Sequence, residues 1–194
     1  MEKIVIIGSP GAGKTTLAKE LGCKLKIKVF HLDRLFWQRG WKRKTGDTRI
    51  DILQKLVLRD TQWIIEGTYL CSSEPRLNAA DAIIFLDISC LLCLQRIMKR
   101  HRKFRGRIRR DIPDGCTDKL TLLRIVKVLT FPLHGRIMIK QKLRKYNSKQ
   151  IIWLHSTKEV EDFLAHQGTN ADDQRTSSSS VPAAKEKSYV ATGR

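Results

Sequence analysis

The stretch Gly8-Ser-Pro-Gly-Ala-Gly13-Lys14-Thr15 fits the pattern G-x-x-x-x-G-K-[ST]. An apolar, β-branched run, Lys3 to Ile7, precedes it, and a helix-forming run, Lys14 to Leu21, follows it. That context constrains the fold more than the pattern alone: a buried strand must pass through a tight glycine-rich loop directly into a helix. The glycines let the backbone curl so that consecutive N–H groups converge on phosphate oxygens, and the helix N-terminus adds its partial positive charge. Gly8, Ser9, Pro10, Gly11, Ala12, Gly13, Lys14, Thr15 and Thr16 are therefore expected to cradle ATP. Lys14 is expected to reach the β and γ phosphates, with Thr15 offering its hydroxyl to Mg²⁺. The competing reading is a glycine-rich strand-to-helix turn without a ligand.

Short β-branched runs alternate with helical patterns along the rest of the chain. Lys3 to Ile7, Val29 to Leu32, Trp63 to Glu66, Ala82 to Leu86 and Gln150 to Leu154 read as strands, and their near-continuous hydrophobicity suits a parallel sheet buried on both faces. Helices are expected near Lys14 to Leu21, Asp51 to Leu58, Cys90 to Arg102, Lys119 to Thr130, Arg136 to Tyr146 and Thr157 to His166. The fold class is thus α/β, in a chain whose 194 residues suffice for one core. From about Gly168 the composition turns to Asn, Asp, Gln and four consecutive serines, so residues 168–194 are expected to form a disordered tail behind a domain spanning 1–167.

The 38 Lys and Arg against 19 Asp and Glu leave a net charge of +19, which favours anionic partners without choosing among nucleotides, nucleic acid and acidic surfaces. Cys23, Cys71, Cys90, Cys93 and Cys116 are odd in number and irregularly spaced, which argues against a disulfide framework and for a reducing cytoplasm. Cys90-x-x-Cys93 has no second such pair and opens a helix, so small thiols are the simpler reading than zinc or redox chemistry. No segment reads as a signal peptide or a membrane span, and no membrane partner is expected. Oligomeric state is left open.

Three further carboxylates stand at or near strand ends. Ala82 to Asp87 is an apolar strand closing on an acid, placed to orient Mg²⁺ or to cap the helix that follows. Asp33, after Val29-Phe-His-Leu, is placed to orient or deprotonate an acceptor hydroxyl, or else to cap a helix near Leu35. His31 reads as packed or hydrogen-bonded. Glu66 and Arg76 are candidate acceptor contacts, beside the aromatic and basic run Phe36 to Lys44. Ile88 follows Asp87, so the Asp-Glu pair common in water-activating ATPases is missing, and no N-K-x-D guanine code is present.

The most basic segment runs from Gln95 to Arg110. Arg96 and Arg100 share a helix face and are expected to meet transferring phosphate, while Gly106 and Pro113 break the helix into a loop bearing Arg105, Arg107, Arg109 and Arg110. Arg105 and Arg109 are the lid residues expected to contact substrate. The same cluster would also suit a nucleic-acid backbone. Lys158 is a weak candidate for a base pocket.

His31-Leu-Asp-x-Leu-Phe-Trp-x-x-Gly-Trp41, Trp63-Ile-Ile-Glu-Gly-Thr-Tyr69, Phe85-Leu-Asp87 and R-G-x-x-R-x-D-x-x-x-G-C from Arg105 to Cys116 resemble bacterial topology modulation proteins, which are adenylate-kinase-like P-loop proteins. The resemblance covers Met1 to about Leu164. It implies a P-loop kinase three-layer fold with five parallel strands ordered 2-3-1-4-5, an ATP site and an arginine-rich lid at about 103–118. Arg96-Ile-Met-Lys-Arg100 is similar to the R-I-x-x-R that enters adenylate-kinase lids, which implies transition-state contacts for those two arginines. The implied function is ATP- and Mg²⁺-dependent phosphoryl transfer to a nucleotide or small metabolite. The alternative is a nucleotide-dependent nucleic-acid binder affecting DNA topology. Glu66 and Thr68 depart from the Asp and Asn of the pattern, Arg110 from its Pro, and the lid lacks a four-cysteine zinc set.

Overall fold

The computed structural model describes residues 1–43, 48–104, 116 and 120–176. Lys44 and the lid arginines Arg105, Arg107, Arg109 and Arg110 lie outside the described residues, as does the tail beyond 176. In chain order the elements are β1 (Lys3–Gly8), α1 (Lys14–Leu25), β2 (Val29–His31), α2 (Leu32–Phe36), β3 (Trp37–Gln38), β4 (Lys42–Arg43), α3 (Arg49–Arg59), β5 (Trp63–Glu66), α4 (Glu74–Ala79), β6 (Ala82–Leu86), α5 (Cys90–Lys103), α6 (Leu122–Leu129), α7 (Gly135–Leu143), β7 (Gln150–Leu154) and α8 (Thr157–Thr176).

Five strands form one parallel sheet in the order β2-β5-β1-β6-β7, which, counted along the chain within that sheet, is 2-3-1-4-5. β3 and β4 make a separate antiparallel hairpin. Because successive strand residues face opposite ways, β1 divides its side chains between two cores. Val5 and Ile7 pack with Leu53, Leu77, Phe85 and Ile139 under α3, α4 and α7. Ile4 and Ile6 pack with Leu17, Cys93, Val128 and Leu164 under α1, α5, α6 and α8. The continuous apolar runs in the strands are the sequence trace of this double burial.

Phe85 is fully buried in the first core and meets Trp153 edge-on, with ring centroids 5.0 Å apart. Phe85→Ala is expected to destabilise the fold by about 3–5 kcal/mol through lost burial and the cavity left behind. Urea unfolding would read this as a lower midpoint at unchanged slope.

Two departures from the sequence reading shape the functional edge. β2 ends at His31 rather than Leu32, so Asp33 lies in the first turn of α2 instead of extending the strand. α3 begins at Arg49, two residues before the expected Asp51. Thr48 and Asp51 form a capping box there: the Asp51 N–H donates to Thr48 Oγ1 at 3.2 Å, and the Thr48 N–H to Asp51 Oδ2 at 2.9 Å. That cap places Arg49 in the first turn of α3. At the other end of the chain, α8 continues to Thr176, past the expected His166.

Candidate functional site

The parallel register brings Gly8, His31, Glu66 and Leu86 to one edge of the sheet, with His31 opposite Glu66 and Gly8 opposite Leu86. In open α/β sheets that carboxyl edge is where ligands bind. β1 leaves it through the loop Gly8 to Gly13, whose glycines take left-handed backbone angles: Gly11 has φ +84° and Gly13 has φ +102°. Gly13 caps α1 with no side chain on the helix N-terminus, and the first turn holds no acid. The free N–H groups and the helix dipole therefore act on the loop unopposed.

Close packing as well as conformation fixes this loop. A Cβ on Gly11 would lie 2.4 Å from the Cys93 carbonyl oxygen and 2.9 Å from Ile97 Cγ1, both on α5. Gly11→Ala is expected to lift the loop off α5 and scatter its converging N–H groups. Binding of a fluorescent ATP analogue should weaken about tenfold or more, equivalent to ~1.4 kcal/mol or above.

Lys14 Nζ donates to the carbonyls of Gly8 at 3.1 Å and Ser9 at 2.9 Å, folding its ammonium back across the loop. Desolvation holds the Lys14 pKa below the usual lysine value; the charges of Glu66, Asp33 and Cys93 oppose that shift, and Arg100 adds to it. Asp33, Glu66 and Arg100 thus act on the Lys14 ammonium electrostatically. Arg96 closes the same group, donating from Nη1 to the Ala12 carbonyl at 3.1 Å and from Nη2 to Thr157 Oγ1 at 2.8 Å.

Thr15 Oγ1 donates to Glu66 Oε1 at 3.1 Å, and His31 Nδ1 lies 2.8 Å from that same oxygen. Glu66 itself is buried. Thr68 ties this strand end to the phosphate loop, donating from Oγ1 to the Gly8 carbonyl at 2.6 Å. Asp87, expected beside Thr15 as a metal ligand, is placed differently. Its carboxylate accepts from Arg136 Nε at 2.7 Å, and His155 Nδ1 stands 3.5 Å away. Both β5 and β6 adjoin β1, and the two acids differ in their partners: Glu66 meets Thr15 and His31, Asp87 meets Arg136.

Next to these groups lies a polar and aromatic cluster. Tyr69 donates its hydroxyl to Asp33 Oδ1 and accepts from Trp37 Nε1 at 2.8 Å. Burial and the Asp33 carboxylate push the Tyr69 phenol well above its ordinary range. The Arg49 guanidinium lies over the rings of Tyr69, Trp37 and Phe36, at 5.0, 5.3 and 5.4 Å from their centroids.

Arg76 has no exposed surface. Its Nη2 donates to the carbonyls of Gly67 at 3.0 Å and Thr68 at 2.7 Å, while Nε and Nη1 have no hydrogen-bond partner. Burial pulls its pKa down to about 9. In this geometry Arg76 holds the turn after β5, and any contact with an acceptor requires that turn to open.

Arg49 and Arg136 escaped the sequence reading. Arg49 is separated from Asp33 by the whole hairpin, and the one local signal that could have placed it, the Thr48-x-x-Asp51 capping pattern, concerns the helix start and not the aromatic cluster. Arg136 sits in a helix, GRIMIKQKL, that offers it no acidic partner, so its pairing with Asp87 has no sequence signal. Among the described residues no group of three or more His, Cys, Asp or Glu could hold a metal by itself. No helix among them is long and apolar enough to cross a membrane.

No family model matches the chain, and no curated protein matches it. Solved structures do. The shikimate kinase of Acinetobacter baumannii in complex with shikimate superposes with a TM-score of 0.54 at 15% identity, over 92% of this chain and 95% of that one. The shikimate kinase of Bacteroides thetaiotaomicron superposes with a TM-score of 0.50 at 17% identity, over 87% of this chain and 97% of that one.

Proposed function

We propose that this chain, which shares the fold of these P-loop kinases, is an ATP- and Mg²⁺-dependent phosphotransferase acting on a small hydroxyl-bearing acceptor, a nucleotide or another metabolite. The observation that carries the reading is that Thr15, next to Lys14 on the phosphate loop, hydrogen-bonds the Glu66 oxygen that His31 also contacts, while Asp33, two residues beyond His31, is held by Tyr69. A lysine for the donor phosphates and a carboxylate for an acceptor thus share one space, as phosphoryl transfer needs and a passive nucleotide clamp does not.

In this reading the backbone from Gly8 to Thr16 binds the triphosphate. Thr15 and Glu66 supply hard oxygen ligands suited to Mg²⁺, whose other positions phosphates and water fill. Bound Mg²⁺ supplies neutralisation of the phosphate charge. His31 fixes the orientation of Glu66. Asp33 orients the acceptor hydroxyl and takes its proton, and Tyr69 fixes the Asp33 carboxylate. Arg96 and Arg100 carry positive charge to the transferring group, joined by Arg105 and Arg109 of the lid. Arg49 is the cation offered to an anionic group on the acceptor, and Arg76 positions the turn that bears Thr68 and Tyr69. Asp87, which accepts from Arg136 Nε, is the further carboxylate proposed for the Mg²⁺ site.

The motifs from His31 to Trp41 and from Arg105 to Cys116 support placing the chain with the adenylate-kinase-like topology modulation proteins, as one domain over 1–167 with a tail behind it. The test is ADP release from the purified chain with ATP and Mg²⁺, across nucleoside monophosphates, nucleosides, small hydroxy acids and duplex DNA. Stimulation by one small acceptor is expected. Stimulation by DNA alone, or by nothing while ATP still binds, overturns the reading.

A further inference from the structure

α6 is built from Leu122-Leu-Arg-Ile-Val-Lys-Val-Leu129, six of whose eight residues are Leu, Ile or Val, yet only Val128 is buried. Leu122 is 76% exposed, Leu123 77% and, in the turn leading to α7, Leu133 67%. Val126, Leu129 and Met138 are also exposed. Leu122, Val126 and Leu129 are spaced to form one stripe along the helix. Scattered single leucines on a surface are ordinary; a concentration on one helix and its exit turn is the signature of something that covers it.

The charge around this face indicates the covering partner. α6 carries no Asp or Glu, whereas Arg124 and Lys127 both lie on it. α5 packs beside α6 and presents exposed Met98, Lys99 and Arg102. A second copy of the chain would bring the same basic helices and another +19 to the contact, with no acid on α5 or α6 to balance them. A nucleic acid would match the basic residues but leave the leucines in water. A lipid surface with anionic headgroups answers both features: the leucines enter the acyl boundary and the Lys and Arg side chains reach the headgroups.

We propose that α6, with the turn into α7, is a peripheral docking face for anionic membranes. The site is distinct from the phosphate-loop edge and does not depend on the phosphotransferase reading. It involves no membrane-spanning segment. The helix lies in the interface plane, so its short length is no obstacle.

Co-sedimentation of the full chain with extruded vesicles of phosphatidylcholine alone, and of phosphatidylcholine with 30% phosphatidylglycerol (about one lipid in three anionic), tests this directly. Binding to the anionic vesicles is expected to exceed binding to neutral ones by about tenfold or more and to fall steeply at high salt. Leu123→Ser with Leu133→Ser keeps the net charge and removes only exposed side chains. That double variant is expected to lose about tenfold of the anionic-vesicle binding, with an unchanged circular dichroism spectrum and unfolding midpoint. Lys127→Glu, which leaves the leucines in place, should weaken binding as well.

Equal binding by the double variant and the wild type would overturn the proposal, since adhesion by charge alone needs no leucines. So would absence of preference for anionic vesicles, or a concentration-dependent dimer that the leucine substitutions dissociate.

Discussion

Lys14→Ala is expected to lower acceptor-stimulated ADP release by about a thousandfold, in line with the loss of a main electrostatic contact to transferring charge. The side chain is directed at its own loop carbonyls, Gly8 and Ser9, so the ammonium already lies where donor phosphates would enter. Turnover within tenfold of wild type would exclude the phosphate role. The same substitution carries a pH signature. Burial lowers the Lys14 pKa in the folded protein, so between that lowered value and 10.5 the unfolded chain binds more protons. Wild-type stability relative to the alanine variant should therefore rise as pH climbs through that window, and level off above 10.5. Thermal midpoints of both proteins at pH 7 and pH 10 read this difference, because the other titrating groups are common to the pair.

Asp33→Asn is the second large effect. The amide oxygen can still accept the Tyr69 hydroxyl, so the cluster with Trp37 should persist while the proton acceptor is lost. Turnover is expected to fall by about 10²–10⁴-fold with the affinity for ATP unchanged. Measuring nucleotide binding by titration and turnover by ADP release separates the two. A loss of ATP affinity with turnover per bound nucleotide intact would move Asp33 from the acceptor side to the donor side. Tyr69→Phe provides the intermediate case, since it removes only the group that orients Asp33.

The phosphate loop was readable because its requirements are local. Glycines at set spacings, a strand before them and a helix after them are properties of one short stretch, and Gly11 and Gly13 adopt the left-handed angles the motif needs. The five strands were readable for a related reason: a strand covered on both faces is apolar along most of its length, and Trp63–Glu66, Ala82–Leu86 and Gln150–Leu154 match the expected spans. Their order in the sheet came from the resemblance, since no residue in a buried parallel strand specifies its neighbour.

The site's partnerships were much less legible. Glu66 and Asp87 look alike in sequence, each an acid at or just beyond the end of an apolar strand, and Asp87 was assigned to the metal. Their side-chain partners separate them, although β5 and β6 both adjoin β1: Glu66 meets Thr15, while Asp87 meets Arg136 on α7. Arg76 is expected as an acceptor contact because it is an arginine beyond a strand end; what the sequence does not show is that packing leaves it no exposed surface and directs Nη2 at the Gly67 and Thr68 carbonyls.

The glycine-rich loop and the strands can be read from the sequence alone, because each is written in contiguous residues. The tertiary structure decided which carboxylate faces Thr15, that Arg49 lies over the aromatic rings beside Asp33, and that the leucines of α6 stay outside the core. Those are relations among residues far apart in the chain, and only the packing of helices on the two faces of the sheet brings them together or leaves them in solvent.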